Sequence, residues 1–387
     1  ALRPLCDTSL RLPQARQVLR ETSSVLFPVS VPPWLQPLRS SIRLLCAFEP
    51  SWFKTPAVPE AKKAAHLCPS FSMQKLSIAV HGGAGTILPK DLTPELEKAY
   101  LQALQAALDA GYQLLQQGAS STDAVQAAVV VLEDFPLFNA GKGSVFTFEG
   151  GHEMDAAIMD GRDRSAGAVA GVQGIKNPVV LARTVMTHSQ HVLLSGAGAE
   201  AFAKAHQIAF AANDYFHTDL RYQQWQSVQG TNVSALDHST PDVKALSKEK
   251  KFGTVGAVAV DAHGHVAAAT STGGMTNKRW GRIGDSPLIG AGTWADDQTC
   301  AISCTGHGEI FIKAVAAYDI HCLMAYQNKT LQQAMDEVVQ VKLKRMEGEG
   351  GAIGVDSNGE AALVFNSEGM YRGLRSSSGE NKTAIYR

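Results

Sequence analysis

Thr254 stands at a seam. A polar run over 243–251 ends just before it, an apolar run over 255–260 begins just after it, and Gly253 is its upstream neighbour. A threonine hydroxyl is a poor nucleophile unless a base stands beside it. One arrangement supplies that base from the residue itself. If Thr254 began a chain, its own α-amine, with a reference pKa of about 7.7–8.0, would take the hydroxyl proton at neutral pH. The Gly253–Thr254 peptide would have to be cut first. Glycine on the upstream side removes a Cβ that would crowd attack on its carbonyl. "GTVG" alone is equally an ordinary strand start, so the threonine needs company.

Three further constellations offer it. The segments around His263-Gly264 read as a β-hairpin. If Ala262 pairs with His265, Thr254 lies opposite Gly273, within one residue of Thr272, and two hydroxyls from separate segments come close. Alone, Ser271-Thr272-Gly273-Gly274 reads as a strand end before a glycine turn. Arg282 and Asp285 are three apart on a loop fenced by Gly281, Gly284 and Pro287. Arg offers a planar fork to a carboxylate and Asp accepts an ammonium, the two charges of a free α-amino acid. As an isolated motif the pair is also an ordinary surface turn. Thr305-Gly306-His307-Gly308 falls between a strand-like and a helical run, where backbone N–H groups point outward and favour negative charge. That suits an oxyanion hole. His307, flanked by glycines, stays outside the catalytic set. "HEMD" at 152–155 lacks the second histidine of a zinc helix. "HGGAG" at 81–85 is neither GxGxxG nor followed by GKS or GKT, which favours close backbone packing over phosphate binding.

Regular elements must position these residues. A strand is expected over 76–80. Thr93-Pro94-Glu95 opens a helix that runs to about Gln117 and stops at Gly118. Ser121, Thr122 and Asp123 offer caps for a second helix to about Glu133. Residues 152–172 read as two strands around an Asp-Gly turn, with helical segments near 178–188 and 197–206. The polar stretch 213–251 reads as a long surface connection. After the hairpin come a strand, a glycine turn and a long helix over 300–327, then a last pair of strands turning at Asn358-Gly359. Consecutive hairpins with helices in blocks argue for antiparallel sheets layered with helices.

Composition sets the frame. The chain has 387 residues, 45% hydrophobic and 18% charged, with a net charge of -1. It can bury a sizeable core, and its charge gives no argument for nucleic acid or an anionic membrane. No apolar run reaches the length of a membrane span. The cysteines show no metal spacing. Cys300 and Cys304 share strand parity and read as buried free thiols in a reducing compartment. Residues 1–72 differ from the rest: basic residues outnumber acidic ones, prolines abound and glycine is missing. The first methionine is Met73, directly before the first strand-like run. A targeting peptide, a disordered arm and translated upstream sequence all fit, and the last is the expectation.

Taken together, the motifs resemble the plant-type L-asparaginases, or isoaspartyl peptidases, of the N-terminal nucleophile hydrolases. The matching pieces include "HGGAG" (81–85), "LEDFPLFNAGKGSVF" (132–146), "MDAAIMDG" (154–161), "GTVGAVAVD" (253–261), "ATSTGGMTNK" (269–278), "GRIGDSP" (281–287), "TGHGE" (305–309) and "FNSEGMYR" (365–372). They run in family order from Met73 to the C-terminus. The resemblance implies an α+β fold, a four-layer αββα sandwich of two mainly antiparallel sheets flanked by helices. It also implies a precursor over 73–387 that cuts itself into 73–253 and 254–387, and a homodimer of processed units. Thr254 would be the nucleophile and Thr272 its helper. Thr305 and Gly306 would form the oxyanion hole. Arg282 and Asp285 would hold the α-carboxylate and α-ammonium, with Gly308 and Asn139 in the same site. Backbone carbonyls of Leu132, Glu133, Phe135, Phe138, Ala140 and Lys142 would bind a structural Na⁺, with no cofactor for catalysis. The expected substrates are asparagine and isoaspartyl dipeptides, in the cytoplasm, with no nucleic-acid or membrane partner. Glycosylasparaginases usually carry "STNG" and "TGDG" and lack the "PLFNAG" loop. "STGG", "TGHG" and that loop favour the asparaginase branch here. An unprocessed aspartate-binding protein is the alternative from another class.

Overall fold

A computed structural model describes residues 75–85, 87–230 and 253–387 of the chain, within the compact unit Cys68–Arg387. The N-terminal extension and the polar run over 243–251 lie outside the described residues.

Strand β1 (Ser77–Gly85) is buried throughout and outlasts the expected 76–80 run. Helix α1 (Pro94–Gln116) starts where Thr93 accepts the Leu96 N–H, with proline in its first turn. Helix α2 (Ser121–Asp134) is capped by Ser120, which accepts the Asp123 N–H. Ser121 and Thr122 instead lie inside the helix, where the Ser121 N–H donates to Asp261 and the Thr122 hydroxyl to Asp160. Strands β2 (Met154–Asp160) and β3 (Ala166–Val172) follow, then α3 (Pro178–His188), β4 (Leu193–Ser195) and α4 (Gly196–Ala205). The stretch read as a connection holds two helices, α5 (Asn213–Phe216) and α6 (Asp219–Val228). The α6 sequence has no apolar stripe. It is anchored by the fully buried Arg221, which is why hydrophobic periodicity misses it.

After the undescribed segment come β5 (Val255–Val260), β6 (Val266–Thr272), β7 (Thr293–Ala295) and β8 (Cys300–Gly306). The expected long helix is broken into α7 (Gly308–Ala314) and α8 (Ala316–Gln327) at Val315, which has a left-handed backbone with φ 48°. Helix α9 (Leu331–Asp336) opens with a capping box between Thr330 and Gln333. The expected hairpin is β9 (Gly350–Asp356) and β10 (Ala361–Phe365). Two more strands, β11 (Gly369–Ser376) and β12 (Asn381–Tyr386), follow it.

Among the described residues the strands form an eight-stranded sheet, β12-β11-β1-β5-β6-β2-β3-β4, and a four-stranded one, β10-β9-β8-β7. Neighbouring strands pair antiparallel except β3 with β4, which α3 joins as a crossover. Strand alternation sends side chains into different cores. Ile78, Val80, Val255 and Ala257 pack with Leu104, Leu108, Val125 and Val129 of α1 and α2. Ala79, Val258 and Val260 meet Ala301, Ile353 and Val355 of the second sheet. Cys300, Ile302 and Cys304, on one face as expected, pack with Ile320, Val338 and Val339. The central strands are therefore apolar on both faces, and the polar residues among them need a specific reason.

Candidate active site

The β5–β6 hairpin brings the two threonines together. Its register runs from Val260↔Val266 to Val255↔Ser271. The turn is one residue longer than the two-residue loop expected. The Asp261 N–H donates to the His265 carbonyl, the Asp261 carboxylate accepts the His263 and His265 N–H groups, and Gly264 takes the left-handed conformation at φ 79°. The correction shifts the register by one, so Thr254 faces Thr272 rather than Gly273. The Thr254 hydroxyl donates to Thr272 Oγ1 at 3.2 Å, and Thr272 Oγ1 also accepts the Gly274 N–H at 3.0 Å. Thr254 is 8% exposed, at the wall of a small cleft that Gly253, Thr272, Arg282, Asp285 and Gly306 also line.

The charged pair on the loop is built into the same cleft. Arg282 donates through Nε and Nη2 to both carboxylate oxygens of Glu309, at 2.8 and 2.9 Å. That bidentate grip fixes the guanidinium. Asp285 is buried, and its Oδ2 has no hydrogen-bond partner among the described residues. Burial pushes its carboxyl up to about 7, against the pull of Arg282. A cation entering the cleft would therefore find an acceptor waiting. Gly308 must be glycine here: a Cβ would stand 2.8 Å from Asp285 Oδ1 and 2.9 Å from Arg282 Nη2.

Thr305 and Gly306 end β8. Thr305 is fully buried, and its hydroxyl has no hydrogen-bond partner among the described residues. Gly306 lines the cleft, and Thr305, its neighbour on β8, is not among the lining residues. Asn139 also stands outside the lining. Its Nδ2 donates to the Gly274 carbonyl at 2.7 Å, its Oδ1 accepts the Val145 N–H, and its own carbonyl accepts the Gly273 N–H. It thereby holds the turn that follows Thr272.

Four neighbours escaped sequence reasoning. Glu309 is part of "TGHGE" and could have been read as a partner for Arg282. Asp155 pairs across strands with Thr272 and is fully buried. Burial raises its pKa, and Lys278 and Arg282 pull it back. The Lys278 ammonium is buried and donates to the Glu153 carbonyl at 2.9 Å. The Glu133 carboxylate accepts the Ser271 hydroxyl at 2.7 Å and the Val179 N–H at 3.0 Å, one residue from Thr272. Burial pushes it up to about 8.

The 132–142 loop curls on itself. The Leu132 and Ala140 carbonyls each accept one backbone N–H, from Phe135 and Gly143, which leaves each a second lone pair. A Cβ at Gly141 would stand 2.4 Å from the Glu133 carbonyl, and one at Gly143 would stand 2.0 Å from the Phe138 carbonyl. Arg221 donates to the Leu137 and Gly143 carbonyls, neither of them among the six expected cation ligands. Neutral carbonyl oxygens suit a hard cation. Among the described residues no group of three or more His, Cys, Asp or Glu could hold a metal. No helix among them is long and apolar enough to cross a membrane.

Comparison with known proteins identifies the family. A family model described as asparaginase matches residues 73–385. An isoaspartyl peptidase of Salmonella typhimurium is 50% identical over 315 residues, covering 81% of this chain and 100% of that protein. The isoaspartyl peptidase of Escherichia coli is 49% identical, covering 81% and 97%. A probable isoaspartyl peptidase/L-asparaginase 2 of Arabidopsis thaliana is 41% identical over 325 residues, covering 80% and 98%.

Proposed function

The chain belongs to the asparaginase family, and from that premise we propose that it is a threonine amidohydrolase of L-asparagine and β-aspartyl (isoaspartyl) dipeptides that first cuts itself between Gly253 and Thr254. The observation that carries the reading is the Thr254–Thr272 hydroxyl contact on the wall of the cleft that holds Arg282 and Asp285. The names of the relatives support both substrates.

In self-cleavage the Thr254 hydroxyl attacks the Gly253 carbonyl. The chain shifts from nitrogen to oxygen, and water hydrolyses the ester. The freed α-amine of Thr254 then takes the proton from its own Oγ. Arg282 binds the substrate α-carboxylate and Asp285 the α-ammonium, which brings the side-chain carbonyl to Thr254. Oγ attacks that carbon, and the negative oxygen is met by Thr305 and Gly306. Ammonia or an amino acid leaves with the proton. Water then resolves the β-aspartyl ester, and Thr272 keeps the nucleophile hydroxyl oriented. Gly308 gives the substrate head group room, and Asn139 supports the wall behind it.

The layered cores support a four-layer αββα arrangement. A Na⁺ on the carbonyls of Leu132, Glu133, Phe135, Phe138, Ala140 and Lys142 would rigidify the loop that carries Asn139, with no part in catalysis. A homodimer of processed units follows the family pattern. The free thiols of Cys300, Cys304 and Cys322 favour a reducing compartment such as the cytoplasm.

The test is release of leucine from β-aspartyl-leucine and of ammonia from asparagine by the purified protein. Thr254→Ala should abolish both. Aspartate binding without any turnover by the wild type would overturn the reading in favour of a binding protein.

A further inference from the structure

We propose that His81 is a positioning residue for the nucleophile: its Nδ1–H holds the backbone carbonyl of Thr254, Ser303 fixes the imidazole from behind, and Gly256 leaves the space for that contact. The proposal rests on the reading of Thr254 as nucleophile.

The need for such a residue follows from the strand ladder. Strand β1 pairs with β5 from Ser77↔Val260 to His81↔Gly256 and no further, and on its other edge its register with β11 slips between His81 and Gly83. Thr254 therefore lies beyond the last β1 partner. The His81 side chain takes the place of the missing ladder bond, with Nδ1 3.0 Å from the Thr254 carbonyl oxygen. A carbonyl only accepts, so Nδ1 carries the hydrogen. In a neutral ring Nε2 must then accept, and the Ser303 hydroxyl, 2.9 Å away, donates to it. Full burial holds the ring neutral, with a pKa down to about 3, which agrees with that tautomer.

Ser303 belongs to the second sheet, so the contact spans the layer between the sheets. Its oxygen in turn accepts from the Thr270 hydroxyl at 2.7 Å, and Thr270 lies 2.7 Å from the Thr293 hydroxyl. Thr270, Ser303 and Thr293 are all fully buried. This explains a run of hydroxyls on otherwise apolar strands. Gly256 completes the argument. A Cβ there would stand 2.1 Å from Ser303 Oγ and 2.5 Å from His81 Nε2, so a side chain would displace the pair.

The contact matters most once the chain is cut. Thr254 then loses its upstream tether and becomes a chain end, and ends fray unless tied down. Its carbonyl, held by His81, and its hydroxyl, against Thr272, are the two polar points that fix the residue while amine and hydroxyl both hang from its Cα.

Two substitutions separate the ends of the imidazole. His81→Asn places an amide N–H near the Nδ1 position and gives up Ser303. His81→Gln reaches toward Ser303 and gives up the Thr254 carbonyl. The readouts are the self-cleavage rate on denaturing gels, kcat and KM for asparagine per mole of cleaved enzyme, and the melting temperature. Expected is self-cleavage and kcat within about threefold of wild type for Asn, and a loss of at least about tenfold for Gln, with KM unchanged because Arg282 and Asp285 are untouched. Gly256→Ala should behave as Gln does. Equal losses in Asn and Gln that track the melting temperature, a Gln variant better than Asn, or wild-type rates in Gly256→Ala would each overturn the proposal. An active or self-cleaving Thr254→Ala would instead overturn the nucleophile assignment beneath it.

Discussion

The proposed role of Asp285 as acceptor for the ammonium of an α-amino acid makes its charge state set how tightly the cleft holds that ligand, which pH reads out. Burial pushes this carboxyl up to about 7, so near neutrality the empty site holds a proton part of the time. An ammonium ligand needs the carboxylate, so binding at lower pH must first expel that proton. Affinity is then reduced by the ionised fraction, about tenfold at about pH 6 and about a hundredfold at about pH 5, relative to the plateau above about pH 8. The assay is competitive inhibition of asparagine hydrolysis by L-aspartate across that range. Titration of the Thr254 amine acts in the opposite sense, because its protonation at lower pH favours the side-chain carboxylate of aspartate. Succinate, which has no ammonium, is the control. It should bind no worse as the pH falls, because a protonated Asp285 no longer repels it. Asp285→Asn should lose the pH limb and about 2–5 kcal/mol of aspartate affinity, the cost of stripping one partner from a buried charge pair. An aspartate inhibition constant that is flat from about pH 6 to about pH 8, or a limb that survives in Asp285→Asn, would refute this reasoning.

Other outcomes follow from the same geometry. Gly308→Ala should raise KM at least about tenfold, because its methyl would enter between Asp285 and Arg282, and steady-state kinetics on the cleaved enzyme would check it. Glu133 is held up to about 8 from an ordinary 4.5, so the folded state binds its proton more tightly. Its contribution is full below about pH 4.5 and is lost as pH rises toward about 8, at up to about 1.4 kcal/mol per pH unit. Urea unfolding at the two ends should therefore show a shallower pH slope in Glu133→Gln than in wild type. An unchanged slope would place the titration elsewhere. Arg221→Met should cost roughly 1–3 kcal/mol in urea unfolding by taking the Arg221 donor from the Gly143 carbonyl, while the Leu137 carbonyl keeps the Tyr100 hydroxyl at 3.3 Å. Arg221→Lys should not rescue it, since an ammonium does not reproduce the fork that spans both.

How much of this was legible in the sequence depends on how local each contact is. Thr254 and Thr272 are joined by one hairpin, so their meeting could be read. The register moves by one because Gly264 closes a three-residue loop where the sequence predicts a two-residue turn. Arg282 and Asp285 share a short loop and were equally readable. The Glu309 fork was not, because it depends on how the start of α7 docks on that loop. His81, Ser303 and Gly256 lie on three strands of two sheets, and only the packing of the sheets makes "HGG", "GTVG" and the β8 serine one unit. Helix α6 was lost because a buried arginine, rather than an apolar stripe, holds it. The break at Val315 was lost because nothing in an apolar helical run announces a left-handed residue.

The proposed activity requires Thr254 to become a chain end and the nucleophile. Mass spectrometry and N-terminal sequencing of the purified protein after incubation test it most directly. The account predicts a fragment that begins at Thr254 and ends at Arg387, formed by the wild type and missing from Thr254→Ala, with amidase activity rising in step with its appearance. A chain that stays intact while hydrolysing asparagine, or a fragment that begins at another residue, would contradict it.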